Sequence, residues 1–138
     1  MMRKAILAGV GGLILSFFMA FSAVAQQTEI EGTINSQLEA FKADDFEEAF
    51  TYATPTLQRL FQTPRNFQRM VTEGYPMVWR PAEVTYLDLN EQDGAYVQKV
   101  QIVDAKGFTH LLAYRMIQTA AGWRIGGVSI LQADGVTA

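Results

Sequence analysis

Asp88, Gln98 and Tyr114 fall at spacings that set them in one row if the second half of the chain folds as a β-meander, with Tyr96 the next inward residue. A carboxylate beside a phenol among apolar residues suits proton transfer next to a carbonyl. The carboxylate takes the proton and the phenol stabilises the oxyanion. Burial would lift the Asp88 pKa toward a useful range. The competing reading is structural: Asp88 lies near a turn, is solvated, and accepts a hydrogen bond from Gln98 or Tyr114.

Two further groups carry chemistry. His110 is the single histidine of the chain. It is expected on the same sheet face, opposite Ile102, as a packed residue donating to a backbone carbonyl, with catalytic base as the rarer reading. Trp79-Arg80-Pro81 is the other. Pro81 forces Arg80 out of helical geometry, so the guanidinium reaches a ligand carboxylate, or else stacks on Trp79 or pairs with Glu83.

Composition excludes much else. The chain has 138 residues, no Cys, one His and a formal charge of -3. No zinc cluster, disulfide framework or cysteine nucleophile can be built from that set. The acidic balance argues against nucleic acid, and Gly9, Gly11 and Gly12 fall outside any phosphate-loop context. No cofactor and no metal are expected.

The elements that must hold these residues are legible in the hydrophobic period. Arg3 and Lys4 precede a charge-free run from Ala5 to Ala25 that ends in Ala23-Val24-Ala25. This reads as a signal peptide, residues 1–25, cleaved after Ala25. Residues 26–138 then form one domain, periplasmic or secreted, with no membrane attachment. An uncleaved anchor is the competing reading, since the run is long enough to span a bilayer. Losing Arg3 and Lys4 leaves the domain more acidic than the whole chain.

In the first half, Thr28-x-x-Glu31 predicts a capping box, and Ile30, Ile34, Leu38 and Phe41 predict one apolar stripe on a helix from about Glu29 to Lys42. Asp44-x-x-Glu47 predicts a second helix start, where the dipole favours Asp44, Asp45, Glu47 and Glu48 without calcium. Thr54-Pro55 and Thr63-Pro64 predict two more. Leu57, Leu60 and Phe61 give one of these a buried side, Phe67, Met70 and Val71 the other, and Gly74 a left-handed cap. The inward stripes offer only aliphatic residues, Phe and Met, with Tyr52 the sole polar aromatic. Arg59, Arg65 and Arg69 read as a solvated face.

In the second half the period drops to two. Met77–Arg80 reads as an extended entry segment. Strands are expected at about Glu83–Glu91, Ala95–Asp104, Phe108–Thr119 and Trp123–Leu131. Each intervening turn has Gly fourth, which predicts a three-residue loop with a Gly bulge and the pairs Glu91 with Ala95, Asp104 with Phe108 and Thr119 with Trp123. Even-numbered residues, Tyr86 among them, then share the core face. The opposite register would bury Lys99 and Arg115. Leu87, Leu111, Ile125 and Leu131 are left on the outer face.

Helices followed by an antiparallel meander resemble the NTF2-like and cystatin-like α+β folds, and Gly122-Trp123-Arg124-Ile125 resembles their last strand. More narrowly, Phe41-Lys42-Ala43-Asp44-Asp45-Phe46, Thr63-Pro64 and the run Gly74 to Val84 resemble the domain of unknown function 4864 family of exported bacterial proteins. That resemblance implies an NTF2-like cone and leaves function open. The leading expectation is a non-catalytic small-molecule-binding or protein-association module. Its cone would hold a small apolar ligand oriented by Tyr86, Tyr96, Gln98, Tyr114 and Arg80, with Trp79 and His110 as further ligand-binding candidates. The alternatives are an isomerase- or cyclase-like enzyme with Asp88 as base and Tyr114 or Tyr96 as oxyanion donor, and a homodimer through the outer face.

Overall fold

The structure is a computed structural model. It describes the backbone of residues 2–133 and the side chains of residues 22–131. Among the described residues five helices precede four strands: α1 Met2–Lys42, α2 Phe46–Thr51, α3 Pro55–Phe61, α4 Pro64–Gly74, α5 Pro76–Trp79, β1 Pro81–Gln92, β2 Ala95–Asp104, β3 Thr109–Thr119 and β4 Gly122–Ala133. The strands form one antiparallel sheet in the order β1-β2-β3-β4. The fold is therefore α+β, as expected, with the helices on one face of a meander.

Helix starts follow local chemistry. Thr54 and Thr63 cap α3 and α4 by accepting from the amides of Leu57 and Asn66, and Pro55 and Pro64 supply the first helical φ. Four expectations for the helical half change. Thr28 is not a cap, because α1 continues upstream of it and its hydroxyl donates to the Val24 carbonyl. The α2 cap is Asp45, which accepts from the Glu48 amide, while Asp44 takes a left-handed φ of 57° and faces α5. Met77–Arg80 is not extended: Pro76 starts the single turn of α5, and the chain leaves helical geometry only at Arg80, before Pro81. Gly74 is the last helical residue of α4, without positive φ.

The expected stripe Ile30, Ile34, Leu38 and Phe41 is buried on α1. It meets Val100, Ile102, Leu112, Tyr114 and Met116 in one core. Phe67 on α4 packs on Phe41, Phe50 and Phe61 at ring separations of 5.8, 5.4 and 5.6 Å. Such pairs each contribute about 0.5–1.5 kcal/mol beyond area burial. Leu60, expected inside, is 72% exposed.

The turns depart from a single shape. The middle one pairs Asp104 with Phe108 as expected, and Asp104 Oδ1 accepts from the amides of Lys106 and Phe108. The first is a two-residue loop: Gln92 pairs with Ala95, with Asp93 and Gly94 both at positive φ. In the third, Thr119 pairs with Gly122 rather than Trp123. Each change slips the register by one residue. A bulge restores it farther along, at Leu87-Asp88 in β1 and at Gly126 in β4. Inside the second slip, Trp123 and Ile125 turn inward and are buried. Ile125 therefore leaves the expected outer apolar set, in which Leu87 and Leu131 remain exposed and Leu111 is half-buried.

Candidate functional site

A cavity of about 270 Å³ lies between α1, α3, α4 and α5 on one side and β3-β4 on the other. Phe41, Phe61, Phe67, Val71, Val78 and Ile125 supply most of its wall, and Gln37, Tyr75 and Tyr114 supply the polar atoms. No acidic or basic side chain lines it among the described residues. Gln37 is buried and its amide nitrogen donates to the Ala49 carbonyl at 3.1 Å. The Tyr75 hydroxyl donates to the Val128 carbonyl at 3.1 Å. Tyr114 is 1% exposed, and its hydroxyl makes no hydrogen bond among the described residues. Burial raises its pKa above the usual tyrosine range, with the nearby Tyr86 adding to the shift.

Two segments position these walls. The bridge between Ala53 and Ile125, with the Thr54 amide donating to the Ile125 carbonyl at 2.9 Å, ties the start of α3 to β4. Gly126 then bulges, and Val128 pairs with Tyr114 beneath the cavity. A Cβ at Gly126 would meet Ile117 Cγ1 at 3.0 Å, so glycine suits this close approach.

The expected row does not form. Leu89, not Asp88, pairs with Gln98, because Leu87 and Asp88 together oppose Lys99 in the bulge. Asp88 is exposed and Leu89 packs inward in its place. Gln98 does pair with Tyr114, and it is fully buried. Its amide nitrogen donates to the carbonyls of Leu87 at 3.0 Å, Lys99 at 2.9 Å and Asp88 at 3.4 Å. It clamps the bulge and does not line the cavity.

The other expected residues are distributed around the domain. Tyr86 donates to the Glu31 carbonyl at 3.3 Å, and burial with the Glu31 charge pushes its pKa up to about 12. Tyr96 packs edge-on against Trp123 at 5.5 Å. His110 meets Asp104 rather than a backbone carbonyl: Nε2 and Oδ2 lie 2.8 Å apart, which favours a proton on Nε2. The His110 bond is the largest cause holding the Asp104 carboxyl below its ordinary range, with the Phe108 and Lys106 amides assisting. His110 Nδ1 is buried without a partner among the described residues.

Arg80 does not reach the cavity. It stacks on Trp79 at 4.5 Å, pairs with Asp44 at 2.9 Å rather than with Glu83, and donates to the Phe41 carbonyl at 3.1 Å. Trp79 Nε1 donates to the same Asp44 carboxylate at 2.8 Å. The Trp79 and Arg80 hydrogen bonds, in that order, hold the Asp44 carboxyl low. The cluster closes the C-terminal end of α1 against α5.

Of the expected site residues only Tyr114 lines the cavity. Gln37 and Tyr75 were missed. Gln37 had a signal: it lies three residues after Ile34 and four before Phe41, inside the apolar stripe. Tyr75 had none, because its direction depends on how α4 ends.

The family model for the domain of unknown function (DUF4864) matches residues 23–138. The chain belongs to this family. In the DUF4864 domain, the two segments that carried the resemblance in sequence, Phe41–Phe46 and Gly74–Val84, meet through the Asp44, Trp79 and Arg80 cluster. Among solved structures, the domain is similar to an NTF2-like protein of unknown function from Burkholderia xenovorans LB400. The two share 13% identity over 80% of this chain and 91% of that chain, with a TM-score of 0.46. No curated protein matches it.

Proposed function

We propose that this DUF4864 domain is exported and works as a non-catalytic binding module for a small apolar molecule. The observation that carries the reading is the cavity itself: about 270 Å³, walled by aromatic and aliphatic side chains, with one uncommitted hydroxyl at Tyr114. Binding sites for small molecules are concave, largely apolar and furnished with few polar groups, and this volume is at their small end. The leader, the Ala23-Val24-Ala25 end and the exposure of Ser22 to Ala25 support processing before the domain acts. The first core residue, Ile30, lies beyond the cut, so cleavage removes no described core contact.

Native mass spectrometry of the protein recovered from the exported fraction of its own host tests both parts. The expected result is a chain beginning at Gln26 that carries a small non-covalent adduct. The adduct should be lost in Met70→Trp, whose larger ring occupies the cavity. A chain retaining residues 1–25 would overturn export with cleavage. An adduct unaffected by Met70→Trp would overturn the cavity as the binding site.

A further inference from the structure

The polar atoms of the cavity select a ligand class. This step rests on the reading of the cavity as a binding site and asks what it would admit. Gln37 has one amide N–H on Ala49 and Tyr75 has its hydroxyl donor on Val128. Tyr114 keeps its hydroxyl donor, and Gln37 a second amide N–H, with no partner among the described residues, and Tyr114 sits on the sheet floor of the cavity. A ligand oxygen that accepts from this hydroxyl replaces water there, and a ligand without one leaves the donor unpaired against an apolar surface.

Charge narrows the class further. A ligand carboxylate in this cavity would lose its water and meet no cation, because no Lys, Arg or His lines the wall among the described residues. The nearest candidate by sequence reading, Arg80, is held on Asp44 and Phe41. A ligand ammonium would likewise meet no carboxylate. Desolvating either ion without a counter-charge is far costlier than desolvating a neutral oxygen. We infer that the cavity takes an uncharged, hydrocarbon-like molecule bearing a carbonyl or hydroxyl oxygen, which accepts a hydrogen bond from Tyr114.

A cavity of about 270 Å³ suits a compact skeleton packed against Phe41, Phe61 and Phe67. The raised pKa of Tyr114 agrees with a phenol that stays protonated and donates throughout the neutral range. Tyr114→Phe removes the oxygen and keeps the ring, so the core packing around it is preserved.

The test uses three probes of one skeleton: 2-acetylnaphthalene, naphthalene and 2-naphthoate at neutral pH. Each is titrated by ligand-observed NMR into the chain starting at Gln26 and into its Tyr114→Phe variant, with xenon as a probe of access. The ketone should bind the unaltered domain, the naphthoate should bind at least about a hundredfold more weakly, and Tyr114→Phe should weaken the ketone by about fivefold while leaving naphthalene unchanged. Naphthoate binding as tightly as the ketone would overturn the inference. So would a ketone indifferent to Tyr114→Phe, or an equal loss for ketone and naphthalene. Xenon entering while all three probes are refused would overturn the ligand class and leave the cavity standing. Exclusion of xenon as well would remove the binding reading itself.

Discussion

Gln98 shows how much one buried polar side chain can decide. Its place on the core face was legible, because Tyr96, Gln98 and Val100 alternate with outward residues. Its partners were not, because the bulge that turns the Leu87 and Asp88 carbonyls toward it leaves no mark in composition. Gln98→Leu keeps the approximate volume and strands those carbonyls, so the domain should lose about 2–3 kcal/mol in urea unfolding. A loss under 0.5 kcal/mol would show that the bulge holds without the clamp. The tyrosines give a second prediction at this scale. Tyr86 is raised to about 12 and Tyr114 is also raised, both by burial first. The unfolded chain ionises near pH 10, below the folded values. Their contribution is therefore complete below pH 10 and falls as pH rises toward 12. Tyr86→Phe should flatten that alkaline decline, measured as stability between pH 9 and 11. A decline unchanged by the variant would place its origin elsewhere.

At the scale of elements, helix starts were read well where a hydroxyl and a proline adjoin, and poorly where the backbone upstream decides. Thr54-Pro55 and Thr63-Pro64 are local signals and both act. Thr28-x-x-Glu31 is equally local, yet α1, which spans Met2–Lys42, runs through it. Processing after Ala25 would remove Val24, the acceptor of the Thr28 hydroxyl, and leave Thr28 two residues from a new N-terminus. The box could then form, with Thr28 accepting from the Glu31 amide. In the chain starting at Gln26, Thr28→Ala should cost about 1 kcal/mol and Thr28→Ser almost nothing. Equal stability of all three would mean that the shortened helix frays past Thr28. The hairpins carry the same lesson. Asp104 caps its own turn through two amides, whereas Asp93-Gly94 accepts two positive φ angles and closes the loop one residue sooner. The four-residue motifs look alike, and the angles their residues tolerate do not.

The whole molecule sets an apolar layer against a sheet and leaves a gap between them. The periodicities reported which faces turn inward, but a gap is the mismatch between two surfaces and belongs to neither sequence segment. Here α4 stands away from β4 although Phe67 and Val71 are buried. Close packing is the default in protein interiors, and unfilled apolar volume destabilises in proportion to its size. A gap kept for a ligand and a gap left by imperfect packing respond differently to filling. Val71→Leu adds one methylene to a residue on the cavity wall. If the space is soft and merely vacant, the variant gains about 0.5–1 kcal/mol and nothing else changes. If the cavity serves binding, the same gain is accompanied by loss of the adduct seen in native mass spectra. Thermal unfolding and adduct retention, measured on one preparation of the Gln26 chain and its Val71→Leu variant, separate the two. A Val71→Leu domain that is destabilised by 1–3 kcal/mol instead would mean that the wall is already close-packed at this position. A more stable domain that still retains its adduct would put the ligand elsewhere.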